Sequence, residues 1–208
     1  MQYRYILSGI VGAVLVVSAA QAASTIKLTQ ELIAMYAEVG ISPPTGARMT
    51  VCYGFACRLR MDLAFTAKER ATLMGIVARG RASPAAERQA IQRAFVWFDH
   101  RVGSEVGTSR RVANADIRAF DDAHNFDCWD TTRNDTSLLL VLQGWGALRH
   151  HIVSNPQYRG NIFIGQLSHN TAVIMERESG TKWIVDMWTT AYGQVPDVMP
   201  LAKWLEEK

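Results

Sequence analysis

Cys128, His169 and Asp186 follow one another along the chain as a thiol, an imidazole and a carboxylate. Together these groups can cleave or transfer an acyl group. A free thiol has a pKa of ~8.5 and is mostly protonated at neutral pH, but an adjacent imidazole converts it to a thiolate–imidazolium pair. A carboxylate on the second ring nitrogen holds the imidazole in one tautomer and one orientation. The thiolate attacks an amide or ester carbonyl, the histidine protonates the leaving group, and water or a second amine resolves the acyl-enzyme.

Cysteine usage singles out the nucleophile. Cys52 and Cys57 are separated by Tyr-Gly-Phe-Ala, with Gly54 available for a tight turn, and are expected to form a small-loop disulfide. Their spacing is not the Cys-x-x-Cys of a thioredoxin-type centre, and two cysteines alone make a poor zinc site. Cys128 is left over. An odd cysteine in an oxidising compartment is intermolecular, buried and inert, or reactive, and a bond from Cys128 to either other cysteine would end the enzymatic argument.

An oxidising compartment is expected because residues 1–22 read as a secretory signal peptide. Arg4 supplies the positive region, Ile6 to Val17 the apolar region, and Ala20-Gln21-Ala22 the cleavage site. The apolar run is short for a membrane span, so no stable span is expected after cleavage and the mature chain is assigned to the periplasm or the secreted fraction. Removing Arg4 takes the formal charge from +3 to +2, spread over both signs. No basic patch suggests nucleic acid. The 49% apolar and 20% charged composition fits one globular domain over residues 23–208.

Each member of the trio needs an element to hold it. Asp127 is a good helix N-cap, and Asp130 stands where a carboxylate can reach back to the capping backbone, so Cys128 opens a helix that runs into Leu138 to Leu142. The N–H groups and dipole of that first turn favour thiolate, whereas the carboxylates of Asp127 and Asp130 oppose it. The Cys128 N–H would donate to the oxyanion, with Asn125 or His124 as the candidate second donor. Glu178 to Thr181 is a turn joining strands His169–Arg177 and Lys182–Trp188, which brings His169 and Asp186 to the open end of one hairpin with an undetermined stagger. Asp186 is the only carboxylate in the apolar run Trp183 to Trp188 and therefore needs a partner. His169 is one candidate; Arg133, Arg149 and Lys182 are the others.

The remaining elements follow from caps and periodicity. Leu28 to Val39 reads as an amphipathic helix, and Arg48 to Arg60 as a hairpin or irregular strand around the disulfide. Thr66-Ala67-Lys68-Glu69 is a capping box, and Ser83-Pro84 starts a helix expected to reach Val102. Residues 103–122 read as a long connection, Arg149–Ser154 and Asn161–Leu167 as strands, Gly193–Pro200 as loop, and Leu201–Leu205 as a short helix. Helices followed by an antiparallel sheet give an α+β class. Neighbouring strand residues point to opposite faces, so His150 and His151 are not expected to share a metal.

A cysteine heading a buried helix, then His-x-x-Ala-Val from His169, then Trp-Ile-Val-Asp ending at Asp186, resembles the transglutaminase-like cysteine peptidase superfamily. The likeness is to its small secreted bacterial members and covers Phe126 to Trp188. The resemblance implies a transglutaminase/papain-like core with the Cys-bearing helix against the antiparallel sheet. It implies Cys128 as nucleophile, His169 as general base and acid, and Asp186 as orienting carboxylate. It further implies hydrolysis or transfer at peptide or isopeptide amides, a peptide or cell-envelope substrate, and no metal or organic cofactor. The alternative is a non-catalytic exported binding or envelope-structural protein that retains the fold.

Overall fold

The organising element is a helix with almost no exposed surface. A computed structural model describes residues 28–116, 118 and 120–207; the expected signal peptide lies outside them. Helix α4, Cys128–Gly144, begins at the Asp127 N-cap, whose side chain accepts from the Asp130 N–H. Every residue from Asp130 to Leu142 is buried. A helix enclosed on all sides needs partners on all sides.

A two-stranded hairpin covers one side of α4, with β1 at Arg48–Tyr53 and β2 at Leu59–Ala64. The other side meets a four-stranded antiparallel sheet in chain order: β3 (His151–Asn161), β4 (Gln166–Glu176), β5 (Lys182–Asp186) and β6 (Asp197–Pro200). Ala172, Ile174 and Val185 of the sheet join Leu138, Leu139 and Leu142 of α4 in the main core. Their strand neighbours Val173 and Ile184 pack instead with Leu201 and Trp204 of the terminal helix α5, Leu201–Glu206. The sheet is thus covered on both faces, which is why His169 to Ile174 is buried without alternation.

Three further helices complete the α+β architecture. In α1, Gln30–Ala37, Leu32, Met35 and Tyr36 are set against Leu140. In α2, Ala67–Ala78, the Thr66–Glu69 capping box forms as the sequence indicates. Helix α3, Pro84–Val106, carries Ile91, Ala94, Phe95 and Phe98 into the main core. No helix of the described residues is long and apolar enough to cross a membrane.

Four segments depart from the sequence expectation. Asn161–Leu167, expected as one strand, instead contains the 3-10 turn Ile162–Ile164 that connects β3 to β4. Helix α3 passes through Gly103 to Val106, because that glycine is a packing position: a Cβ there would lie 2.3 Å from the Tyr192 ring. Residues 151–161 form one strand across Pro156, with the register shifting between Ser154 and Gln157 to accommodate the proline. Asp197–Pro200, expected as loop, pairs with β5 as the edge strand, where prolines are tolerated.

Candidate active site

The disulfide loop and the head of α4 are built around each other. Cys52 and Cys57 are bonded, and Cys128 is the free cysteine. Phe55, Ala56 and Cys57 all adopt left-handed backbone, with φ of 67°, 51° and 53°. Each such non-glycine residue costs roughly 1–2 kcal/mol. The conformation turns successive N–H groups toward one side, making a concavity for anions. Two carboxylates of α4 occupy it: Ala56 N–H donates to Asp127 at 2.7 Å, and Cys57 N–H donates to Asp130 at 2.5 Å. Asp130 is thereby turned to the loop and away from the capping role the sequence suggested. Asn134 adds a two-way link, accepting from Cys52 N–H and donating to Cys52 C=O, both at 2.8 Å.

Burial, with the neighbouring Asp127 charge, pushes the Asp130 carboxyl up to about 7 despite the loop hydrogen bonds. At neutral pH it carries only part of its charge, which lessens the repulsion it exerts on a thiolate at Cys128. The pKa is raised above the unfolded value, so stability present at acid pH is lost as pH rises through about 7. Asp130→Asn keeps an oxygen for Cys57 N–H without the charge. It is expected to stabilise the fold by about 1–2 kcal/mol at pH 8 and to lose that advantage below pH ~4, read from urea midpoints.

His169 and Asp186 meet at the end of the sheet. The β4–β5 pairing runs from Met175↔Lys182 to Ala172↔Val185, and below Ala172 strand β4 has no β5 partner. Continuing that register would set Asp186 opposite Thr171 and Trp188 opposite His169, a two-residue stagger. The imidazole spans it: His169 Nε2 lies 2.5 Å from Asp186 Oδ2. The other carboxylate oxygen accepts from Trp188 N–H at 2.9 Å. The His169 ring is walled by Trp188 and Trp204, with centroids at 4.5 and 5.7 Å. The expected partner of Asp186 is therefore present, and it is the imidazole.

The second ring nitrogen, Nδ1, is buried and engages no other protein group at hydrogen-bond geometry. Burial alone would lower the imidazole pKa; the hydrogen bond and charge of Asp186, with a further contribution from the nearby Cys128, outweigh it and push His169 up to about 9. The ring accordingly favours imidazolium at neutral pH, the form needed opposite a thiolate.

Asn125 and His124 are committed elsewhere. Asn125 accepts from Val112 N–H and donates to Asp122, while its carbonyl accepts from Gly54 N–H. The His124 ring lies between Gly107 C=O and Arg110. Both residues secure the approach to α4, and their side-chain donors do not serve the sulfur. The side-chain amide at Cys128 belongs to Asn170, whose Nδ2 donates to Sγ at 3.2 Å. The Cys128 N–H, at the first helical position, has no intrahelical acceptor. These two donors flank the sulfur, as an oxyanion would require.

Asp135, one of the buried polar residues of α4, lies beneath this assembly and accepts from Met187 N–H at 3.1 Å. Burial, reinforced by the Asp186 charge, raises its carboxyl pKa well above the ordinary value, which disfavours a second negative charge at this place. Nothing in the sequence distinguished Asn170 or Asp135 from the polar residues around them.

The other histidines serve structural roles. His151 Nδ1 contacts the buried Glu87 at 2.9 Å, whereas His150 Nε2 lies against Arg81 C=O. Among the described residues, the one group with metal-like spacing is Cys52, Cys57 and Asp130, whose two sulfurs are already bonded to each other. No protein-family model, curated protein or solved structure matches the chain.

Proposed function

We propose that the protein is an exported cysteine hydrolase of the transglutaminase-like type, cleaving or transferring peptide or isopeptide amides in the periplasm or outside the cell. The observation that carries this reading is the His169 ring, fixed by Asp186 on Nε2, next in the chain to Asn170, which donates to the Cys128 sulfur. A disulfide at Cys52–Cys57 accords with export.

In this mechanism the Cys128 thiolate attacks the amide carbon and forms a thioester bond through a tetrahedral oxyanion. Cys128 N–H and Asn170 Nδ2 stabilise that oxygen. As the C–N bond breaks, His169 gives its proton to the departing amine. Neutral His169 then takes a proton from water, hydroxide adds to the thioester, and the carboxylate product leaves with regeneration of the thiolate. Asp186 keeps its position throughout and holds the ring.

Alkylation by iodoacetamide, followed against pH, tests the pair directly. Cys128 should react with an apparent pKa well below ~8.5, and His169→Ala should slow alkylation at pH 6 by about 10-fold or more. An apparent pKa at or above that of a free thiol, unmoved by His169→Ala, would sink the proposal.

A further inference from the structure

A cavity of about 430 Å³ is bounded by α1, by Trp129, the residue after Cys128, and by Pro156 to Tyr158 of β3. It reaches the nucleophile through Asn170, which lines it and also donates to Cys128 Sγ. Asn170 is 3% exposed, and its Oδ1 has no partner among the described residues. A buried acceptor beside a reactive group awaits a donor, and the main-chain N–H of a bound peptide is one.

The lining defines the side chain that would accompany that main chain. It includes two carboxylates, Glu31 and Glu38, and no lysine, arginine or histidine. Glu38 is balanced by Arg133 at 3.0 Å. Among the described residues Glu31 has only a neutral partner, the Asn155 amide at 2.5 Å, and no cation balances its charge there. The apolar and aromatic part of the lining is supplied by Met35, Trp129 and Tyr158. Trp129 and Tyr158 keep 38% and 57% of their surfaces exposed, although each stands at the edge of this cavity. An aliphatic stem ending in a cation fits both features, because the stem lies on the apolar walls while the charge meets the Glu31 carboxylate, the Trp129 ring being already engaged by the Arg133 guanidinium at 5.2 Å.

We propose that this cavity is a substrate subsite for a lysine or arginine side chain flanking the scissile amide. The proposal rests on Cys128 as the reacting group, deepening the functional reading by naming a substrate class. Glu31 selects the charge, and Asn170 Oδ1 receives a peptide N–H.

Protection of Cys128 from alkylation measures occupancy without requiring turnover. Blocked pentapeptides Ala-Ala-X-Ala-Ala, with X as lysine, arginine, norleucine or glutamate, are compared at equal ionic strength by mass spectrometry of the alkylated protein. Lysine and arginine peptides should half-protect at about 10-fold lower concentration than norleucine, and glutamate should protect least. Glu31→Gln should bring lysine close to norleucine, and 0.5 M salt should do the same for the unaltered protein, by screening at a Debye length of ~4 Å. Equal protection by all four peptides, a preference for glutamate, or a basic preference that survives both Glu31→Gln and salt would overturn the subsite. Each protection is scaled to the unprotected rate of the same protein. A normal thiol pKa would therefore defeat the catalytic reading while leaving the order of protection to judge the cavity.

Discussion

Asp186→Ala is expected to destabilise the protein by about 3–5 kcal/mol at pH 7 and to abolish turnover with it. The substitution leaves a buried imidazolium without its counter-charge, the costly way to break a buried pair. It also removes the acceptor of Trp188 N–H, freeing the segment that walls the His169 ring. The pH dependence identifies the cause. The His169 pKa is raised from an ordinary 6.5 to about 9 in the fold, so the pair stabilises fully below pH 6.5 and loses that contribution as pH rises through about 9. A shift of this size corresponds to roughly 3 kcal/mol. The deficit of Asp186→Ala should therefore be large at pH 6 and narrow toward pH 10, as read from urea midpoints. Asp186→Asn keeps an acceptor in place and should fold with a smaller loss, yet reduce turnover by about 10²–10⁴ because the imidazole is no longer held as a cation. If Asp186→Ala melts like the unaltered protein across this range, the buried pair is not what secures the end of the sheet.

Cys128→Ala should do the reverse, removing turnover while sparing the fold. Loss of the nucleophile in a concerted site lowers rates by about 10³–10⁶. The Cys128 side chain is only partly buried, and its one hydrogen bond is received from Asn170, so the stability change should stay within about 1 kcal/mol. The substitution should also lower the His169 pKa, since the cysteine is one of the groups that raise it. Titration of the His169 ring by NMR would show this, and an unchanged ring pKa in Cys128→Ala would separate the sulfur from the imidazole.

On the proposed mechanism these two variants distinguish a residue that acts through another from one that reacts. Asp186 is tied into backbone and ring alike, so its loss spreads. Cys128 stands at the first turn of α4, where the helix is already capped by Asp127 and anchored by Asp130 and Asn134 to the disulfide loop. That loop is the less obvious support of the site. Its left-handed residues are strained, and the carboxylates they hold lie on the turn that presents the sulfur.

Local signals in the chain were sufficient for the starts of three helices and for the pairing of His169 with Asp186. Thr66, Ser83 and Asp127 each cap a helix with their own side chains, a contact within three residues that needs no tertiary context. The turn at Glu178 to Thr181 likewise brings His169 toward Asp186 whatever surrounds it, and an isolated carboxylate in an apolar strand requires such a partner. The pairing of Cys52 with Cys57 is of the same short-range kind.

What tertiary structure decided are the contacts between groups distant along the chain, where alternatives of equal local merit compete. Asp130 could cap its own helix or reach the Cys57 N–H, and only the docking of the β1–β2 hairpin on α4 favours the second. Asn125 and Asn170 are both asparagines close to the trio in sequence; the bend before α4 engages the first, and the end of β4 beyond its pairing with β5 turns the second to the sulfur. The stagger of His169 against Asp186 and the edge pairing of Asp197–Pro200 follow from strand register, which one shifted residue would invert. Sequence therefore determined which side chains could do the chemistry and where their elements begin. The fold determined which of several equivalent polar groups those side chains meet, because burial, not proximity along the chain, makes an unmet hydrogen bond costly.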